Sequence, residues 1–134
     1  MAKRYAFDPF IVIRDTDEKE GNGWWFEEST MLAGMDRKKL KTGDYSIADF
    51  EDQLCIERKG KISEFAKNVN EDRFERELVR MHDYPWRYIL LEFNMSDLIN
   101  YPHVPEIPKS VQRKIRVRGS FLLKRTLELQ HEHN

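Results

Sequence analysis

Gly43-Asp44-Tyr45-Ser46, followed by Ile56-Glu57-Arg58-Lys59-Gly60, decides how the chain folds. Residues 47–56 between them have the pattern of a strand, or of a hairpin turning near Asp49 to Asp52. Side chains alternate between the faces of a strand, so Glu57 and Lys59 share one face and Arg58 points the other way. Leu54 and Ile56 have the opposite parity to Cys55, which makes the run apolar on both sides and predicts an interior strand. Such a strand ending in Glu-x-Lys, with Asp44 thirteen residues upstream, has a chemical logic. Two carboxylates can hold a hard divalent cation through oxygen. The ion polarises a phosphate and lowers the pKa of a bound water. A lysine on the same face can orient that water or steady charge in the transition state. Glu-x-Lys alone has almost no specificity, and charges at a hairpin end are ordinary surface. The whole string, joined to the helix and strand patterns C-terminal to it, raises the odds.

Working outward, the 134 residues have the size of one ordinary domain, and 1–134 is expected to be a single one. A hydrophobic content of 40% allows a real core, while 35% charged residues and a mean hydropathy of -0.76 predict a heavily charged surface on a folded chain. The net charge of -1 gives no global basic field to announce a nucleic acid. The distribution is uneven, however. Lys109 to Arg125 holds seven Lys or Arg and no acid, whereas acids gather at Asp15 to Glu20, Glu27-Glu28 and Asp49 to Asp52. The lone Cys55, inside an apolar strand, reads as a buried inert thiol. One cysteine excludes a disulfide framework or a cysteine-based zinc cluster and predicts an intracellular, cytoplasmic protein. No run has the length of a membrane span, and the opening Met1-Ala2-Lys3-Arg4 lacks the apolar core of a signal peptide.

Phe10 to Ile13 predicts a buried strand running into Arg14-Asp15-Thr16-Asp17-Glu18, where Asp15, nearest the strand end, is the better ligand candidate and Asp17 and Glu18 read as a solvated turn. Gly21-Asn22-Gly23 is a turn signal, and Trp24-Trp25-Phe26 predicts core or strand. Met31 to Leu40 reads as a link; Lys38, Lys39 and Lys41 can touch phosphates, though such clusters are more often solvated. After Gly60 a helix is expected, capped by Ser63, with Ile62, Phe65, Ala66 and Val69 inward. A break at Asn68 to Asp72 separates it from a second helix over 71–82, with Phe74, Leu78 and Met81 on one face and Arg73, Arg76 and Arg80 on others. Trp86 to Phe93 predicts a continuous buried strand, with Glu92 paired or functional. Asn100 to Pro108 is an irregular loop. A last helix is expected over 110–130, with Val111, Ile115, Leu122 and Leu129 buried, Gly119 weakening its middle, and a basic flank of Lys114, Arg116, Arg118 and Lys124 for phosphates or solvent. His131 and His133 read as fraying tail residues first, with adventitious metal binding as the alternative.

Taken in order, these residues resemble the XPF-like (ERCC4-type) nuclease domain, a branch of the PD-(D/E)XK nucleases. The family pattern is an apolar strand ending in Val-Asp-x-Arg-Glu, then Gly-Asp-Tyr, then Glu-Arg-Lys, then an Arg-bearing helix and an apolar strand ending in Glu. Here Ile11 to Glu18 stands for the first element, Asp15 and Glu18 taking the places of its Asp and Glu. Arg73-Phe74-Glu75-Arg76-Glu77-Leu78 stands for the helix and Ile89 to Glu92 for the later strand. The match covers about 10–93, most like compact bacterial and phage members. It implies an α/β, restriction-endonuclease-like mixed central sheet flanked by helices. It also implies Mg2+- or Mn2+-dependent hydrolysis of DNA phosphodiesters, often near branches or flaps. Asp44, Glu57 and Asp15 would be metal ligands and Lys59 the catalytic lysine. Arg58 and Arg73 would hold phosphates or support the acids, with Glu18 and Arg76 in supporting places. Two departures stand out. The family's arginine after the first Asp is Asp17 here, so one contact is lost or comes from Arg14 or Lys19. The resemblance also leaves the family's last strand and helix without an expected counterpart in these residues, which leaves a homodimer, or a partner supplying structure specificity, open. The other reading is a non-catalytic DNA-binding or assembly module with the same fold; a small-molecule enzyme has no Gly-rich phosphate loop or nucleophile constellation behind it.

Overall fold

The computed structural model describes residues 8–19 and 21–134; Glu20 and Met1-Ala2-Lys3-Arg4 lie outside the described residues. The elements in chain order are β1 (Phe10–Arg14), β2 (Leu32–Arg37), β3 (Tyr45–Ile47), β4 (Leu54–Lys59), α1 (Ile62–Asn68), α2 (Asp72–Met81), β5 (Trp86–Leu91), α3 (Met95–Asn100), α4 (Lys109–Gln112) and α5 (Gly119–His133). The protein is mixed α/β, with one sheet in the order β2-β1-β3-β4-β5. β1 pairs parallel with β2 and antiparallel with β3, and β3 pairs antiparallel with β4. Trp86 N–H donates to the Gln53 carbonyl and Glu92 N–H to the Lys59 carbonyl, both at 3.0 Å. The equal sequence offset of the two bonds makes β5 parallel to β4. The sheet is therefore mixed.

Residues 47–56 form the hairpin rather than one strand. Ile47 ends β3, Phe50 N–H returns to its carbonyl at 2.9 Å, and Asp49 takes the left-handed φ of 72° that Asp tolerates. The buried Ser46 hydroxyl donates 2.6 Å to the Leu54 carbonyl and closes the hairpin. Met31 to Leu40 is more than a link, because it supplies the strand β2.

By density of contacts the chain divides into two compact units, one within Met1–Glu57 with Tyr84–Tyr88, the other Arg58–Asp83 with Ile89–Asn134. The first buries Ile13, Leu32, Leu40, Tyr45, Cys55 and Tyr84. The second buries Ile62, Phe65, Phe74, Leu78 and Met81 from α1 and α2, and Leu98, Leu122 and Leu129 from α3 and α5. Phe65 meets Phe74 edge-on, centroids 6.4 Å apart, and Phe93 at 5.5 Å. The break between α1 and α2 falls at 69–71, as the lost periodicity predicts.

Five expectations need correction. Trp86 to Phe93 is not buried throughout: β5 ends at Leu91, and Trp86, Tyr88 and Leu90 on one of its faces are exposed. β5 is the last strand in the sheet order, and apolar residues of both parities do not reveal that one face goes uncovered. Trp24-Trp25-Phe26 is neither strand nor core: Trp25 and Phe26 are exposed, and Trp24 rests on Tyr45 with centroids 4.7 Å apart. Ser63 does not cap α1; Lys61 holds the cap position, and the Ser63 hydroxyl contacts the Glu106 carboxylate. The helix expected over 110–130 is two, α4 and α5, joined by irregular residues 113–118. Of its expected stripe only Leu122 and Leu129 are buried, since the break rotates Val111 and Ile115 out of phase.

Candidate active site

Gly43-Asp44-Tyr45 has a separate physical reason at each position. Gly43 has a φ of +84°, and a Cβ there would lie 3.1 Å from the Ile56 carbonyl oxygen and 3.2 Å from the Cys55 Cβ. Only glycine combines that backbone with that approach. Asp44 then donates its N–H to the Ile56 carbonyl and accepts from Asp15 N–H, both at 2.8 Å. Tyr45, 1% exposed, accepts through its hydroxyl from Trp24 N–H at 2.6 Å. Gly43→Ala should cost about 1–2 kcal/mol, combining the left-handed backbone with the tight contact. Equilibrium urea unfolding checks this, and an unchanged midpoint would refute the account.

Those two backbone bonds tie the end of β1 and the start of β3 to the middle of β4 inside the first unit. Asp15 directly follows β1, Asp44 directly precedes β3, and Glu57 on β4 directly follows Ile56, to which Asp44 is bonded. The three carboxylate-bearing residues expected to act together are thus adjacent along the backbone. Burial alternates along β4, so Cys55, Glu57 and Lys59 take its buried face, as the parity predicts.

Asp15 is 6% exposed and well anchored. Its Oδ1 accepts from Leu40 N–H at 2.8 Å, and Oδ2 accepts from Asp17 N–H at 3.3 Å and lies 3.6 Å from Lys39 Nζ. A carboxylate has about four lone-pair sites, so these contacts fix its direction without exhausting it. Lys39 also contacts Asp17; that hydrogen bond holds the ammonium above the usual lysine range, with burial opposing and the Asp15 charge adding. Lys38 pairs with Glu51 at 3.1 Å. Exposed as they are, Lys38 and Lys39 are engaged by acids of their own chain.

Arg14 does not stand in for the family's missing arginine. Its guanidinium, in a residue 3% exposed, donates to the carbonyls of Asn22 at 2.5 Å, Lys19 at 2.6 Å, Trp24 at 2.9 Å and Glu18 at 3.5 Å, and so staples the loop after β1. Carbonyl partners leave no side-chain signature, so the sequence could not show this. Glu18 is half-buried in that loop, its N–H bonded to the Asp15 carbonyl at 3.1 Å.

Within the second unit, Lys59 is 5% exposed, with Nζ 5.2 Å from the centre of the Phe74 ring. Arg58 faces the other way and donates to Glu92 at 3.1 Å, which answers the expectation that Glu92 is paired. Arg73 and Arg76 are exposed on α2, Arg76 in a shallow groove with Asp72, Glu75, Val79 and Arg80. Lys114, Arg116 and Arg118 are exposed in the 113–118 connection, not on a helix flank, while Lys124 is on α5, 3.8 Å from Glu128. Arg116 and Arg118 line a groove of ≈ 440 Å³ with Asn70, Ser120 and Phe121.

No protein-family model, curated protein or solved structure matches the chain. Asp15, Asp44 and Glu57 offer oxygen donors only, the set that a hard divalent cation such as Mg2+ or Mn2+ prefers, and their backbones adjoin through the bonded end of β1, start of β3 and middle of β4. In donor chemistry the set is of the kind such an ion accepts, while the described residues whose ligand atoms gather within 4.8 Å of one another are Glu75, Glu132 and His133.

Proposed function

We propose that the protein is a divalent-metal-dependent endonuclease that hydrolyses DNA phosphodiesters on a restriction-endonuclease-like fold. One observation carries the reading. The chain has 23 Lys or Arg and 24 Asp or Glu, yet among the described residues only Arg14, Asp15, Glu57 and Lys59 are buried as charged side chains. Burying a charge costs several kcal/mol unless partners or function compensate. Arg14 is explained by the loop it staples; the other three are the residues singled out for hydrolysis.

Asp15, Asp44 and Glu57 would hold the ion, which when bound would polarise the scissile phosphate and supply a hydroxide-like water near neutral pH. Lys59 shares the Glu57 face of β4, where its ammonium can orient the attacking water and offset charge building on the phosphate. Phe74 beneath Lys59 limits its rotamers and so its aim. Arg58, held by Glu92, fixes the far end of β4 rather than reaching for substrate. Arg116, Arg118 and Lys114 are placed to attract backbone phosphates.

The test is cleavage of labelled single strand, duplex, flap, fork and four-way junction with Mg2+, Mn2+ or EDTA. Cutting that needs metal is expected, and the ranking of substrates gives the specificity. Binding without cutting of any substrate would replace the enzyme by a non-catalytic DNA-binding module.

A further inference from the structure

We propose that the protein carries a transition-metal site, suited to Zn2+, that ties the C-terminal turn of α5 to α2. Glu75 on α2 and Glu132 and His133 on α5 each offer one ligand atom, and the three atoms lie within 4.8 Å of one another. All three residues belong to the second unit, apart from the acids of the strand ends. His133 Nε2 is 4.0 Å from Glu75 Oε1, too far for a hydrogen bond. Around a tetrahedral ion with bonds of about 2 Å the two atoms would sit about 3.3 Å apart, so binding would draw the exposed Glu75 carboxylate in by less than about 1 Å.

The other ring nitrogen supplies an independent argument. His133 Nδ1 is 2.9 Å from His82 Nε2, so one proton lies between the two rings. With that proton on His133 Nδ1, the Nε2 lone pair is presented toward the acids. A metal-ligating histidine ordinarily hands its second N–H to such an acceptor, which sets tautomer and ring direction. His82 sits at the C-cap of α2, seven residues and two helical turns beyond Glu75, so one helix provides both a ligand and the orienting group. The His133 side chain is 13% exposed, and Arg125 lies 3.6 Å from Glu132 and offsets part of the negative charge.

The imidazole decides the metal class. Nitrogen with carboxylate oxygen suits Zn2+ and its neighbours, whereas Mg2+ takes oxygen alone. Water would complete the coordination. The competing account is a protonated His133 lying between two carboxylates, and that arrangement binds no metal. The site would fasten residues more than fifty positions apart and add stability by linkage, since the unfolded chain does not hold the three ligands together.

The test is Zn2+ titration by calorimetry of the chelator-stripped full chain. It uses the Asp44→Ala background with millimolar Mg2+ present, so that the strand-end acids do not report. One Zn2+ per chain is expected, together with a zinc-dependent rise in thermal midpoint and a shift of the His133 Nε2 nitrogen resonance. His133→Gln should abolish the zinc-dependent rise in midpoint and weaken binding about 100-fold, and His82→Ala should weaken it about 10- to 100-fold with the stoichiometry kept. Circular dichroism of the metal-free variants separates lost ligation from lost folding. No zinc bound by the parent, equal affinity in His133→Gln, or displacement of zinc by Mg2+ would each overturn the proposal. Because only binding is read, the outcome is independent of whether the protein cuts DNA.

Discussion

Asp44→Ala is expected to lower metal-dependent DNA cleavage by about 10²- to 10³-fold or more while leaving the protein folded, the scale of removing one preorganised electrostatic group from a transition state. The two parts of that expectation have separate causes. The backbone of Asp44, not its carboxylate, accepts from Asp15 N–H and donates to the Ile56 carbonyl, and alanine keeps both bonds. Gly43 and Tyr45, which shape and anchor the turn, are untouched. The loss should therefore fall on turnover, with thermal midpoint and DNA affinity in Ca2+ close to the parent. Single-turnover cleavage of the best substrate, at several Mg2+ concentrations, makes the measurement. If the variant cuts at the parent rate, Asp44 is not a ligand and the nuclease reading fails.

Gly119→Ala is expected to destabilise the protein by about 3 kcal/mol and to lower the thermal midpoint by roughly 10 °C. A Cβ at position 119 would overlap the carbonyl groups of Ile99 and Leu98 at the end of α3, and Gly119 N–H donates to the Tyr101 carbonyl at 2.9 Å. Those neighbours are backbone, so the strain cannot be relieved by a side-chain rotation. Leu122, fully buried one turn further along α5, would be displaced with the helix. Differential scanning calorimetry should show the drop in Gly119→Ala and nearly none in Ser120→Ala, whose side chain is exposed. Equal midpoints for the two variants would show that α3 and α5 do not approach as closely as described.

The two glycines show what the sequence carries and what it does not. Gly43 stands out in the sequence only as part of the Gly43-Asp44-Tyr45 string, and its left-handed backbone and close approach to Ile56 come from the structure. Gly119 read as a weak point inside a long helix, yet it starts α5 at a close helix approach. Composition cannot distinguish a glycine that loosens a helix from one that admits a neighbour. The parity of Glu57 and Lys59 was legible because strand geometry has a period of two. The uncovered face of β5 was not, because alternation measures apolarity and not whether a second layer arrives. β2 carried no periodic signal, with Gly34 and Asp36 in its six residues. Glu75, His82 and His133 gave only a hint: the spacing of Glu75 and His82 puts them on one helix face, but nothing local announces that the far end of the chain returns there.

The buried thiol of Cys55 makes the hairpin its own reporter. It is the single cysteine, it is 0% exposed, and it lies on the strand that carries Glu57 and Lys59, against Gly43. A thiol reagent can reach it only when the packing over that face of β4 opens, so its rate of labelling under native conditions is a clock for local opening around the hairpin. Where reclosing outruns the reagent, the rate gives the free energy of opening; where the reagent outruns reclosing, it gives the opening rate itself. Anything that binds across the acid-bearing strand ends should slow that clock, so occupancy can be followed without cutting any substrate.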